Sequence, residues 1–259
     1  MSLNFNRAPY FNDYDPENKF YRILFRPGFA VQTRELNQLQ SILQDQISRF
    51  GDHVFTNGSL VIPGAVKVNT NAYYAKVSEG SLQNSDLSVY EGAALDNGSG
   101  GTTGTLIKVS PVESGDPLTL HFEYLEGEEF SGGDTVTITL ADGSSSETVS
   151  IESSGTPLGR STLVTLDRGV YFINDHFTIV NNQTVVVSKY TSIEQISGEV
   201  SVGLLAQESI ITPEQDVSLT DNAQGSFNET APGAHRFKVD PVLVLRSDLN
   251  DLSDYIELV

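Results

Sequence analysis

The chain has no cysteine, no tryptophan and a single methionine. Without cysteine there is no disulfide framework and no thiol chemistry, so stability rests on packing alone. Long apolar runs are missing too. No window approaches the roughly 18–20 apolar residues a membrane-spanning helix needs, and the start, Met1-Ser2-Leu3-Asn4-Phe5-Asn6-Arg7, lacks the basic and apolar blocks of a secretory leader. The chain reads as soluble, without a removable leader and without a membrane partner. Basic residues are scarce, 15 against 34 acidic ones, for a net charge of −19. A surface of that sign repels phosphate backbones, which argues against nucleic acid as a partner.

The charge is unevenly placed. Residues 1–60 carry six basic and six acidic residues, so the remaining nine basic and 28 acidic residues put the whole −19 on 61–259. Residues 1–29 also hold eight of the 23 aromatics, among them Phe5, Tyr10, Phe11, Tyr14, Tyr21, Phe25 and Phe29, set among Asn, Asp, Pro and Arg with no helical or strand period. An irregular arm cannot easily bury its own rings, because its backbone polar groups need water or another surface. Such rings usually anchor on a partner.

Arg26-Pro27-Gly28 marks a turn, and a helical stretch follows. Thr33 suits an N-cap with Glu35 in the first turn, and Gly51 suits a left-handed position closing the helix near Phe50. Leu36, Leu39, Leu43, Gln46 and Phe50 follow heptad spacing, while Ile42 and Ile47 widen the stripe. Two readings fit: an amphipathic helix packed on its own β-domain, or a short symmetric bundle whose register Gln46 sets.

Downstream the pattern is β. Short alternating runs at 105–109, 118–125, 135–140 and 147–151 are separated by Gly- and Ser-rich breaks at 97–104, 131–134 and 142–146. Better strands are expected at 162–166, 170–173 with 177–180, and 184–188, with a tight turn at 181–183. The fold class is therefore mainly β with one N-terminal helix, followed by two sandwich- or barrel-like modules, one inserted in the other. The expected division is an extended arm (1–29), an oligomerisation helix and connection (30–58), a main β-domain (59–84 with 166–246), an inserted small barrel or sandwich (85–165) and an acidic C-terminal segment (247–259). In that last segment Leu249, Leu252, Tyr255 and Ile256 have helical spacing, and the text stops soon after, as a fragment of a longer protein would.

Catalytic signatures are missing. The histidines at 53, 121, 176 and 235 lack metal-ligand spacing. No Gly-x-Ser-x-Gly elbow occurs, and the glycine-rich stretch 98–104 lacks the Lys-Ser/Thr and helix of a phosphate loop. Asp13-x-Asp15-x-Glu17 opens like a calcium loop, but Leu24 stands where a bidentate Glu is required, so an ordered acidic turn is expected. The loop from Asp221 to Gly225, with Asn228 and Glu229, suits either a cation with oxygen ligands or side-chain-stabilised turns. The expectation is no enzyme, no catalytic residues, no metal and no cofactor.

Three N-terminal runs carry a resemblance: Phe5-Asn-Arg-Ala-Pro-Tyr10-Phe-Asn-Asp-Tyr14-Asp, Tyr21-Arg-Ile-Leu-Phe25-Arg-Pro-Gly-Phe29 and Val31-Gln-Thr-Arg34-Glu-Leu-Asn-Gln-Leu39-Gln. With Gly169-Val-Tyr-Phe172, residues 183–190, Asp221-Asn-Ala-Gln-Gly225 and Ala231-Pro-Gly-Ala-His235-Arg-Phe-Lys238, the chain resembles the N-terminal region of a virion-protein family of tailed phages, in baseplate or tail-fibre proteins. The resemblance is weakest over 85–165. It implies a structural virion protein, assembled in the host cytoplasm as a homo-oligomer with three copies the favoured number, in contact with other baseplate or fibre proteins. The alternative is a carbohydrate-binding β-module recognising host glycans through Tyr73, Tyr74, Tyr90, Tyr124 or Tyr171, although tryptophan platforms are lacking. A glycan-cleaving enzyme would need two carboxylates facing one cleft.

Overall fold

In the computed structural model, which describes residues 3–78, 82–98, 101–113 and 115–259, the chain is mainly β with a single α-helix near its N-terminus. Met1 and Ser2 of the arm, and Ser99 and Gly100 of the glycine-rich stretch, lie outside the described residues. The chain forms two compact units. The first comprises Met1–Ala65, Arg168–Asn181 and Gly203–Val259, and the second comprises Val66–Asp167 and Asn182–Val202.

The elements in chain order are α1 (Thr33–Val54), β1 (Leu60–Ile62), β2 (Val66–Asn69), β3 (Tyr73–Lys76), β4 (Ala94–Asp96), β5 (Thr103–Ser110), β6 (Thr119–Glu126), β7 (Thr135–Thr139) and β8 (Ser146–Ser150). Then come β9 (Leu158–Arg160), β10 (Thr162–Leu166), β11 (Gly169–Ile173), β12 (His176–Val180), β13 (Gln183–Ser188), β14 (Val202–Ile211), β15 (Arg236–Leu245) and β16 (Tyr255–Glu257).

The second unit is built on a seven-stranded sheet in the order β8-β7-β4-β5-β6-β3-β9. Alternation makes it: in β7, Val136 and Ile138 are buried while the intervening threonines are not. The sheet curls until its far strands meet. Val77 bridges Ile151 in antiparallel sense, and Glu152 N–H donates to the Lys76 carbonyl at 2.9 Å, closing six strands into a small barrel with β9 outside the ring. Closure satisfies backbone groups that an open edge would leave unpaired. Tyr90, Leu95, Leu106, Phe122 and Ile138 fill the barrel core. A three-stranded sheet, β13-β10-β2, completes this unit.

The inserted unit is wider than 85–165. Strands β2 and β3 pair with β10, β6 and β9, which draws 66–76 out of the main β-domain expected for 59–84. Residues 182–202 follow for the same reason, since β13 pairs with β10. The expected turn at 181–183 is therefore no hairpin. The hairpin joins β11 to β12 instead, through Asn174 and Asp175 at φ 45° and 66°. Two consecutive positive φ values define the turn whose twist matches paired strands, and Asn and Asp tolerate them.

The first unit holds α1 and two three-stranded sheets, β1-β11-β12 and β15-β14-β16. Pro241 lies in β15, at the edge of its sheet, where a residue without an N–H is tolerated. The helical spacing of 247–259 does not become a helix. Asp251 accepts from Ser253 N–H at 3.0 Å, turning the chain, and β16 pairs with β14. Side-chain capping of a turn competes here with a weak helical period.

Glu35 lies in the first turn of α1 as read, but the N-cap is Gln32 and not Thr33, which is already helical: the Gln32 N–H donates to the Glu35 carboxylate at 2.8 Å and the Glu35 N–H to the Gln32 carbonyl at 3.0 Å. It does not stop near Phe50. Gly51 stays helical and buried, because Phe172 fills the space a side chain would take: a Cβ there would lie 2.3 Å from the Phe172 ring. The 22 residues span about 33 Å at 1.5 Å each.

Candidate assembly interface

An amphipathic helix ordinarily turns its apolar stripe toward its own core. In α1 the arrangement is reversed. The face against the first unit carries Asn37, Ser41, Gln44, Ser48 and Gly51, with Ile42 the one large buried apolar side chain. The Gln44 amide donates to the Asp175 carbonyl at 2.7 Å, in the β11–β12 turn. Phe172, under Gly51, packs with Phe55 and Phe177 at centroid distances of 6.0 and 5.2 Å.

Leu36, Leu39, Leu43 and Phe50, together with Ile47 and Val54, are between 41 and 64% exposed, and Gln46 lies exposed among them. They fall on one stripe about 100° wide, running the length of the helix. Ile42 does not widen this stripe, as its spacing suggested, because it lies on the covered side.

The arm divides in two. Its first half lies against its own unit, which corrects the expectation that all of its rings reach outward. Phe5 meets Phe237 edge-on at 5.3 Å, and the Tyr10 hydroxyl is 2.7 Å from His235 Nδ1. The arm's polar groups find partners within the chain: Leu3 N–H donates to Glu208 at 2.9 Å, Asn12 to Ser41 at 2.8 Å, and Asp13 pairs with Arg34 at 2.9 Å and accepts from Gln38 at 2.5 Å. Tyr14 is half-buried beside Asp45, and burial followed by the charge of Asp45 raises its pKa above the ordinary tyrosine range. These bonds to helix and sheet side chains let an irregular segment lie down with most of its polar groups satisfied, although the buried Asn12 Oδ1 has no partner among the described residues.

Its second half has no such anchorage among the described residues. After the turn at Pro16–Asn18, which Asp15 caps by accepting from Glu17 N–H at 3.0 Å, the residues Phe20, Tyr21, Leu24, Phe25 and Phe29 are 47–76% exposed. The Arg26 guanidinium lies 4.2 Å over the Phe29 ring. Phe11 is also exposed. Of the arm anchors read from sequence, Phe11, Tyr21, Phe25 and Phe29 thus face outward, and Phe5, Tyr10 and Tyr14 do not.

A cavity of about 800 Å³ in the first unit is lined by Tyr10, Gln44, Asp175, His176, His235 and others. Both of its histidines are committed locally, His235 to Tyr10 and His176 Nδ1 to the Asn174 carbonyl at 2.5 Å, while the buried Asn12 Oδ1 has no partner among the described residues. Among the described residues, no cluster of His, Asp or Glu is arranged to hold a metal ion. In the 221–229 loop the carboxylates brace turns, Asp221 accepting from Ala223 N–H and Glu229 from Gly225 N–H, each at 2.9 Å.

Sequence reading missed one polar pair. His121 is fully buried on β6, with Nε2 at 2.9 Å from Ser110 Oγ and Nδ1 without a partner among the described residues. Alternation along β6 turns it away from Leu120 and Phe122, toward the side where Tyr190 meets Thr119 at 3.2 Å. Burial, with Lys189 and Lys108 nearby, lowers its pKa to about 4, so it is neutral at pH 7. Among the described residues no carboxylate orients Nδ1, so a serine–histidine relay is incomplete. The tyrosines considered as sugar platforms are spent on packing: Tyr74, Tyr90 and Tyr171 are buried, the Tyr124 hydroxyl accepts from Phe130 N–H at 2.7 Å, and Arg160 covers Tyr73 at 3.9 Å.

Fold and surface together define a mainly β protein whose single helix offers an unpartnered apolar face. The chain belongs to the family described as Domain of unknown function (DUF4815), whose match covers residues 8–86 and 137–259. The unmatched interval falls within the barrel unit and includes β4, β5 and β6. No curated protein and no solved structure matches the chain.

Proposed function

We propose that this protein is a structural attachment component of a tailed-phage virion, a baseplate or tail-fibre adaptor that assembles as a homo-oligomer, with three copies the favoured number, in the host cytoplasm. It has no catalytic role. The outward-facing stripe of α1 carries this reading. Leaving six large apolar side chains about half in water along one helix forgoes roughly 1 kcal/mol for each that an interface would bury fully, about half the value for a side chain starting fully exposed, and patches of this kind mark interaction surfaces. The exposed rings of the arm's second half supply anchors for a neighbour, in further copies or in other baseplate or fibre proteins. The resemblance of the N-terminal runs to virion proteins supports the setting.

Leu39→Asp and Leu43→Asp test it. Both positions are exposed in the single chain, so either change should alter its folding stability by no more than about 0.5 kcal/mol. In an assembled seam it would bury a charge against apolar neighbours. Analytical ultracentrifugation should show an oligomer reduced to single chains, with unchanged β signal by circular dichroism. An assembly mass indifferent to both substitutions contradicts the proposal.

A further inference from the structure

The stripe on α1 also constrains how its partner lies, and this deepens the oligomeric reading on which it rests. We infer that the occupant of the stripe is the same helix of another copy, lying parallel and in register, so that the Gln46 side chains of neighbouring copies meet in one layer.

The choice of a second copy follows from charge. All of the −19 lies beyond residue 60, whereas the segment bearing the arm and α1 is neutral. Copies of this chain repel one another through their bodies and can approach through this face without like-charge cost. A basic partner would be drawn to the acidic body rather than to an uncharged apolar stripe.

Orientation follows from Gln46. Leu36, Leu39, Leu43, Gln46 and Phe50 alternate at steps of three and four. In a parallel, in-register pairing each layer meets its own kind, and two primary amides can each donate to and accept from the other. Turned antiparallel with Leu39 opposite Leu43, the same seam sets Gln46 against Leu36, where a buried amide has no partner. Among the described residues the Gln46 amide nitrogen reaches only its own helix, 3.3 Å from the Ile42 carbonyl, so it is available to exchange that long bond for a better one.

Charges beside the seam do not oppose this. Glu35 and Arg49, which an antiparallel pair would bring together, are already engaged with the Gln32 N–H at 2.8 Å and with Asp45 at 2.9 Å. Parallel packing also brings the arms out at one end, where Phe29 is exposed just ahead of the helix.

The cysteine-free sequence allows a direct test with the full-length chain. Leu36→Cys and Gln46→Cys are made singly, oxidised alone and after mixing, and run without reductant beside a mass measurement in solution. Parallel, in-register helices bring the thiols introduced by Leu36→Cys in two copies within disulfide reach, so that variant alone should give a covalent dimer as its main oxidised product. In an antiparallel pair those positions are about 15 Å apart along the axis, and only the mixture of the two variants would cross-link. That result overturns the orientation and leaves the oligomer standing. An oligomer that cross-links in neither case overturns the seam as the contact, and a single-chain mass without cross-links overturns the oligomeric reading itself.

Discussion

Replacing Gly51 with alanine sets two effects of known sign against each other. In an exposed helix the change would stabilise by about 1 kcal/mol, since glycine loses more backbone entropy than alanine. Here the new Cβ would lie 2.3 Å from Phe172 Cε2 and 2.5 Å from Cζ. Phe172 is 1% exposed and held between Phe55 and Phe177, so the ring has little room to retreat. Overpacking of this kind costs about 1–3 kcal/mol. The clash should win, leaving Gly51→Ala less stable by roughly 1 kcal/mol, the middle of the difference between the two effects, in urea unfolding followed by circular dichroism at the helix band. Phe172→Leu opens the space, so the double variant should fall short of additivity by about 1 kcal/mol. A Gly51→Ala protein at least as stable as the parent, or strict additivity with Phe172→Leu, would refute the docking of α1 through this notch.

Two further outcomes follow from the geometry. Asp175 is exposed but held at φ 66°, so Asp175→Val should cost about 1–2 kcal/mol through the backbone alone, whereas Asp175→Gly should stay within about 0.5 kcal/mol; equal effects in thermal melts would contradict the turn. For His121 the folded pKa of about 4 lies below the ordinary 6.5, so the unfolded chain binds the extra proton first as pH falls. Its share of stability is complete above pH 6.5 and lost on acidification through about pH 4, a difference of about 3 kcal/mol. Denaturant titrations from about pH 8 to 4 should show this loss in the parent and a flatter profile in His121→Leu; parallel profiles would count against a buried neutral histidine.

Elements set by local chemistry were legible in the residues. The alternating Val136 and Ile138 revealed β7, and Glu35 placed the start of α1. Strands β4 and β9 escaped because three residues carry no measurable period. Long-range effects were closed to such reading. Nothing local says that Val77 meets Ile151 to shut the barrel, or that Phe172 needs the volume Gly51 leaves empty. The stripe on α1 could be located from spacing, but its direction could not, because a face turned inward and one turned outward share the same period. The polar covered face at Asn37, Ser41 and Gln44 was the available hint. The arm misled in part for a similar reason: the hydrogen bonds that settle Phe5 and Tyr10 come from Glu208, His235 and α1, far along the chain.

The proposed assembly requires that the leucine stripe of α1 be covered by other copies of the chain. Sedimentation equilibrium of the full-length protein at high micromolar concentration tests it most directly. An integral multiple of the single-chain mass is expected, with three copies favoured. A single-chain mass under those conditions would contradict it.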